Sequence, residues 1–170
     1  MQRILVALTD NEPGVLDRVA SIFRRRGYNI HSLTVSPTLD PEVSRITLVT
    51  DLDDRAARAA RSYLERLVNV HSVEDFTEAG PILRDTALIR VAAGPAERPG
   101  LFQLASIFRA EILEVGPDSV VLACCDGPER IRALVESLRP YGLLEFGRTG
   151  VIAVRSGGDA AASFNPAASF

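Results

Sequence analysis

A chain of 170 residues with an apolar share of 46% can close the core of one ordinary domain or two small ones, which excludes a fibrous or disordered chain. The formal charge is −3, and all 19 cations are arginine, so the bulk basic footprint of a nucleic-acid binder is missing and lysine-based Schiff-base, P-loop and amine-nucleophile chemistry is ruled out. His31 and His71 with the adjacent Cys124 and Cys125 offer neither metal-ligand spacing nor a disulfide framework. No signal peptide or apolar run of about 18 residues is present, so a soluble cytoplasmic protein without a membrane segment is expected.

Residues 3–9 form a short continuous apolar run that reads as a buried strand, ended by the turn-prone Asp10 and Asn11. A helix follows, with Pro13 in its first turn. Val15, Leu16, Val19, Ile22 and Phe23 recur at three- and four-residue spacing to Arg26, and Gly27 stops it. Residues 28–36 are rich in strand formers, 37–42 read as a loop with two prolines, and 44–51 as a strand with β-branched Ile46, Thr47, Val49 and Thr50. A second helix is predicted over 53–67, with Ala56, Ala60, Tyr63, Leu64 and Leu67 inward, and a strand near 70–76 completes the unit. Strand, helix, strand, strand, helix, strand is the ferredoxin-like order, an antiparallel sheet with two helices on one face.

After Gly80 and Pro81 the order repeats. Strands are predicted at 86–93, 112–115, 119–125 and within 143–154, and helices at 99–109 and 127–138. Ala20, Ser21, Ile22, Phe23, Arg24 return as Ala105, Ser106, Ile107, Phe108, Arg109, and Pro13, Gly14 return as Pro99, Gly100. The shared position on the first helix of each unit makes this an internal repeat. The second copy is one residue shorter between the Pro-Gly and the pentapeptide, so its helix entry cannot have the same geometry. The expected fold class is α+β, two tandem βαββαβ units over 1–78 and 85–155 joined by a linker at 79–84. Residues 156–170, small and polar, are expected to be a disordered tail.

The segment from Thr9 to Leu16 is the most informative. A helix N-terminus leaves backbone N–H groups without intrahelical partners, and its dipole favours an anion by roughly 0.3 to 1 kcal/mol. Gly14 lacks a Cβ, so a ligand carboxylate can approach the N–H groups of Gly14, Val15 and Leu16. Asn11 can accept from an ammonium and donate to a carboxylate, reading both ends of an α-amino acid. The competing role is structural, with Asn11 a plain N-cap and Gly14 a packing residue. In this fold the second strand is an edge, and residues 28–35 carry no charge if His31 is neutral, an open invitation to another strand. Two copies meeting there would bring Asn29 of one toward the Asn11 loop of the other. His31 itself is best explained as an ordinary strand side chain bonded to a neighbour.

The run NEPGVLDRVASIFRRRGYNIHSLTVSPTLDPEVSRITLVT, with its helix-start loop Asn11 to Leu16, the phrase Arg26, Gly27, Tyr28, Asn29, Ile30 and the phrase Ser32 to Val35, closely resembles the small regulatory subunits of acetolactate synthase, whose N-terminal unit is an ACT domain. The resemblance is strong in the first half and rests mainly on topology in the second. It implies no catalytic residue and no metal or cofactor on this chain. Thiamine diphosphate, magnesium and a candidate FAD would belong to a large catalytic subunit that condenses 2-oxoacids in branched-chain amino-acid synthesis. It further implies a homodimer through the ACT domain that activates that subunit and confers feedback inhibition by valine or a related amino acid. The effector would be held by Asn11, Gly14, Val15 and Leu16 of one chain and Asn29 and Ile30 of the other. The second unit has Glu97 and Arg98 before Pro99, where a carboxylate would oppose a carboxylate ligand, so no equivalent site is expected there.

An RNA-recognition module shares the element order but needs exposed strand aromatics, and these strands are aliphatic. The arginines at 24–26, 55, 58, 61 and 66 sit among acids and suit a solvated or protein-contacting surface better than nucleic acid. A phosphatase would want an arginine in the anion loop, where Asp10 and Glu12 stand instead. An ACT-type sensor serving another enzyme or a transcriptional circuit remains the alternative.

Overall fold

The computed structural model describes residues 1–157, so most of the tail expected over 156–170 lies outside the described residues. The chain falls into two compact units, residues 1–82 with the chain from Val151 onward, and Leu83–Gly150.

The first unit contains β1 (Gln2–Asp10), α1 (Val15–Arg26), β2 (Ile30–Pro37), β3 (Val43–Asp51), α2 (Asp54–Leu64) and β4 (Val70–Asp75). The strands form an antiparallel sheet in the order β2-β3-β1-β4, with β2 at an edge as expected. β1 and β3 pair without a break from Gln2 with Asp51 to Asp10 with Val43, while β2 bulges at His31 between Ile30 with Thr50 and Ser32 with Val49. Strand alternation sends Leu5, Ala7, Ile46 and Leu48 to the helical face, where they meet Val19 and Phe23 of α1 and Ala57, Ala60 and Leu64 of α2. Val19, Phe23, Ala60 and Leu64 lie where helical spacing predicts, whereas Ala57 is buried in place of Ala56, which like Leu67 is only partly buried, Tyr63 lies outside this cluster, and Leu16 is exposed.

Two helix ends depart from expectation. Pro13 lies in a turn before α1 rather than in its first turn, and Gly14 is the N-cap at φ +87°, a left-handed conformation that suits glycine. Helix α2 stops at Leu64 instead of Leu67, with Asp53 capping it by accepting from Ala56 N–H at 2.7 Å.

The second unit repeats the topology with β5 (Ile82–Ala92), α3 (Arg98–Phe108), β6 (Glu111–Val115), β7 (Ser119–Asp126), α4 (Pro128–Leu138), a 3-10 turn over Arg139–Tyr141, and β8 (Leu143–Arg148) in the order β6-β7-β5-β8. Position for position this matches β2-β3-β1-β4. The Pro-Gly echo does not match in geometry. Gly100 lies inside α3, where an added Cβ would stand 2.8 Å from the Tyr141 hydroxyl, so it is a close-packing glycine and not a cap. The shared pentapeptide also ends differently. Helix α1 runs two residues past Arg24 to a left-handed Gly27, whereas Arg109 is itself the left-handed C-cap of α3 at φ 55°.

The stretch expected to finish the second unit, within 143–154, is divided at Gly150 (φ +93°) into β8 and a short β9 (Ile152–Val154), and both strands pair with β5. The chain from Val151 groups with the first unit rather than ending a domain at 155. Val151 and Ala153 are buried. The Val151 N–H donates to Ser32 Oγ at 3.1 Å, Thr34 Oγ1 donates to the Val151 carbonyl at 3.1 Å, Arg45 donates to the Ala153 carbonyl, and Arg155 pairs with Glu74. The segment therefore runs across the sheet from β2 through β3 to β4. Arg45 and Arg155 also lie over the buried Phe76 ring, 5.7 and 5.1 Å from its centroid.

Candidate functional site

Asn11 follows β1 and is exposed, yet its side-chain amide, its side-chain oxygen and its backbone N–H are all engaged. Its side-chain amide donates to the Pro41 carbonyl at 2.8 Å, its side-chain oxygen accepts from Ser44 Oγ at 3.0 Å, and its backbone N–H donates to the Glu42 carbonyl at 2.7 Å. Asn11 is thus neither an N-cap nor free. It clamps the loop between β2 and β3, and its role in binding a ligand would add to that clamp.

The helix start remains open. No side chain caps α1, and the N-cap Gly14 has nothing within 4 Å of the place a Cβ would take. The Val15 N–H leans to the Glu12 carbonyl at 3.4 Å, a weak bond, and the Val15 side chain is buried in the core. Among the described residues the Gly14 and Leu16 N–H groups meet no acceptor. Leu16 is 42% exposed, an apolar side chain beside the open amides.

Behind the loop stands a polar network that local sequence patterns did not reveal. His71 Nε2 is 2.9 Å from Asp10 Oδ1, Asn69 donates to Asp10 Oδ2 at 2.8 Å, and Arg18 of α1 donates to the Asn69 side-chain oxygen. The partners lie more than fifty residues apart along the chain, so no spacing rule could pair them. The network joins the loop, the first helix and β4, and engages the Asp10 carboxylate beside the open end of α1.

Asn29 stands just before β2 and is exposed, its backbone carbonyl accepting from Thr50 Oγ1 at 2.6 Å. Ile30 is half-buried against the helical core. The two asparagines do not meet in one chain. Asp10, next to Asn11, pairs with Val43, and Ile30, next to Asn29, pairs with Thr50, so seven residues of β3, roughly 23 Å at the strand rise, separate them. A ligand the size of an amino acid cannot reach both within one chain. His31 lies 2.8 Å from Asp51 of the neighbouring strand, the ordinary strand contact expected of it.

At the matching place in the second unit a cavity of about 430 Å³ is lined by Gly94, Glu97, Asp118 and Tyr141 among others. Two carboxylates there disfavour an anionic ligand. Burial pushes the Cys124 thiol up, with Asp126 adding to the effect. Among the described residues no group of three or more His, Cys, Asp or Glu could hold a metal, and no helix is long and apolar enough to cross a membrane.

Comparison with known proteins adds to this geometry. A family model described as the small subunit of acetolactate synthase matches residues 84–157, and one described as an AHAS small subunit-like ACT domain matches residues 5–72. The chain is 36% identical to the acetolactate synthase small subunit of Bacillus subtilis, over 97% of this chain and 96% of that one. It is 35% identical to that of Mycolicibacterium smegmatis, over 90% of each. A crystal structure of the acetolactate synthase small subunit from Thermotoga maritima superimposes with a TM-score of 0.84 at 28% identity, covering 92% of this chain and 98% of that one.

Proposed function

Because the chain belongs to the acetolactate synthase small-subunit family, the regulatory partner of a large catalytic subunit, we propose that it activates that subunit and confers feedback inhibition by valine or another branched-chain amino acid. In this proposal two chains pair through the uncharged edge strand β2, in the cytoplasm. The effector carboxylate lies on the Gly14, Val15 and Leu16 amides of one chain, the Asn11 and Asn29 carboxamides flank it from the two chains, and its side chain rests against Leu16 and the partner's Ile30. The observation that carries it is the separation of Asn11 and Asn29 by roughly the length of β3, beside an open helix end.

The magnitudes suit a reversible sensor. Burying a valine side chain offers about 1.5 to 3 kcal/mol, and charge-assisted hydrogen bonds about 1.5 to 3 each before immobilisation costs. A net of about 5 to 7 kcal/mol corresponds to roughly ten to a few hundred micromolar. Inhibition then requires that the effector bind the inhibited assembly more tightly than the active one, since equal affinity would shift nothing. Filling the seam changes how the two ACT units are held, and that difference reaches the catalytic partner. Valine and leucine differ by one methylene, about 1 to 3 kcal/mol of discrimination.

The test is reconstitution with the large subunit of the same organism. Turnover is expected to rise on adding this chain and to fall again with valine, leucine or isoleucine. Activation with no response to any of the three would remove the sensor role.

A further inference from the structure

The helices of the first unit carry charge that effector binding does not use. Residues 15–26 and 53–66 hold eight arginines against four acids, in a chain whose total is −3. Three of those acids are already engaged. Asp53 caps α2, Asp54 pairs with the buried Arg3, and Glu65 pairs with Arg61 at 2.8 Å. Arg25, Arg26, Arg55, Arg58 and Arg66 are exposed and form no ion pair among the described residues.

We infer that the outward surface of α1 and α2 is a docking face for an acidic patch on the catalytic subunit, an inference that rests on the association proposed above. Guanidinium forks match carboxylates in bidentate pairs, and unpaired exposed ones are available to do so. Arg26, from the last turn of α1, lies 4.0 Å from the centroid of the Tyr63 ring of α2, and Arg66 lies 5.8 Å from it. Tyr63 therefore ties the cationic surfaces of the two helices together and holds two of the guanidiniums in place, which lowers the entropy lost when they bind. Arg55 and Arg58, three residues apart on α2, add two more charges on one face.

The same geometry argues against the other occupants. Nucleic acid would want a bare aromatic to stack a base on, and Tyr63 is already covered by arginine. A second copy laid face to face would set cation against cation, whereas the edge proposed for self-pairing, β2, is uncharged.

The experiment compares binding of the wild-type chain and of Arg25→Glu/Arg58→Glu/Arg66→Glu to the purified large subunit, each at low and at physiological salt. A parallel triple lysine variant keeps the charge, and melting curves check that each variant folds. The glutamate variant is expected to bind about tenfold or more weakly at low salt and to lose most of the salt dependence, with the lysine variant between the two, keeping the salt dependence but not the bidentate pairing. Equal binding and equal salt dependence for wild type and the glutamate variant would overturn the docking face alone. A wild-type chain that binds the large subunit at neither salt would overturn the association and the face with it. Retardation of an RNA oligonucleotide at moderate salt, lost in the glutamate variant, would reassign the face to nucleic acid and overturn the inference.

Discussion

Ser44, which is 5% exposed, donates its hydroxyl to the side-chain oxygen of Asn11 at 3.0 Å, so the residue proposed to read an amino acid also satisfies a buried polar group. Asn29 has no such second duty. Asn11→Ala is expected to cost about 1 to 2 kcal/mol of stability and to loosen residues 38–42, whereas Asn29→Ala stays within about 0.5 kcal/mol of wild type. Both are expected to weaken valine binding by about tenfold or more, because each removes a hydrogen bond to a charged group. Denaturation midpoints with calorimetric valine titration separate the two effects. Unchanged valine affinity in Asn29→Ala would remove the partner chain from the site.

The segment across the first sheet supplies a second prediction. Ala153 is 1% exposed and its carbonyl accepts from Arg45. Ala153→Asp forces a carboxylate into that layer and is expected to destabilise the first unit by about 3 kcal/mol or more. The equivalent change at the exposed Ile152 is expected to be nearly neutral. Hydrogen exchange on β2 and β3 reports whether the loss falls on the first sheet.

Arg109 is, among the described residues, the one non-glycine with positive φ. Its left-handed conformation costs roughly 1 to 2 kcal/mol relative to the helical region, part of which glycine gives back through its freer unfolded chain. Arg109→Gly is expected to stabilise the protein by about 1 kcal/mol, read as a higher melting temperature. A drop would mean that the Arg109 side chain contributes more than its backbone costs.

Asp126 accepts from the Gly127 N–H at 2.7 Å and pairs with Arg130 at 2.6 Å. The Gly127 bond is the larger cause that holds its carboxyl below the ordinary 3.8, against partial burial and with help from Arg130. A depressed folded pKa contributes stability that is present above the unfolded value and lost as pH falls through the folded one. Wild type is therefore expected to be more stable than Asp126→Asn at neutral pH, and the gap to close as pH drops below about 3.8. A gap that does not change with acid would remove the charge from the account.

The helices were legible because Val19, Phe23, Ala60 and Leu64 recur at helical spacing and their faces are buried against one sheet. The edge position of β2 followed from the order of elements alone. The fate of residues 151–154 was not legible, since a short apolar run continuing β8 after one glycine carries no sign of which sheet it will cover. The clamp by Asn11 was not legible because asparagine suits caps, binding sites and loop clamps alike, and its partners Pro41 and Ser44 are thirty and more residues away. The left-handed turn at Gly14, which took over the cap, was half visible in the Pro-Gly pair.

Chain order and assembly order differ in this molecule. Val151 and Ala153 bond to Ser32, Thr34 and Arg45, residues more than a hundred positions earlier, so this part of the first sheet's hydrogen bonding waits until the whole of the second repeat has been synthesised. A polypeptide cut at Gly150 would leave the Ser32, Thr34 and Arg45 side chains of β2 and β3 without these partners.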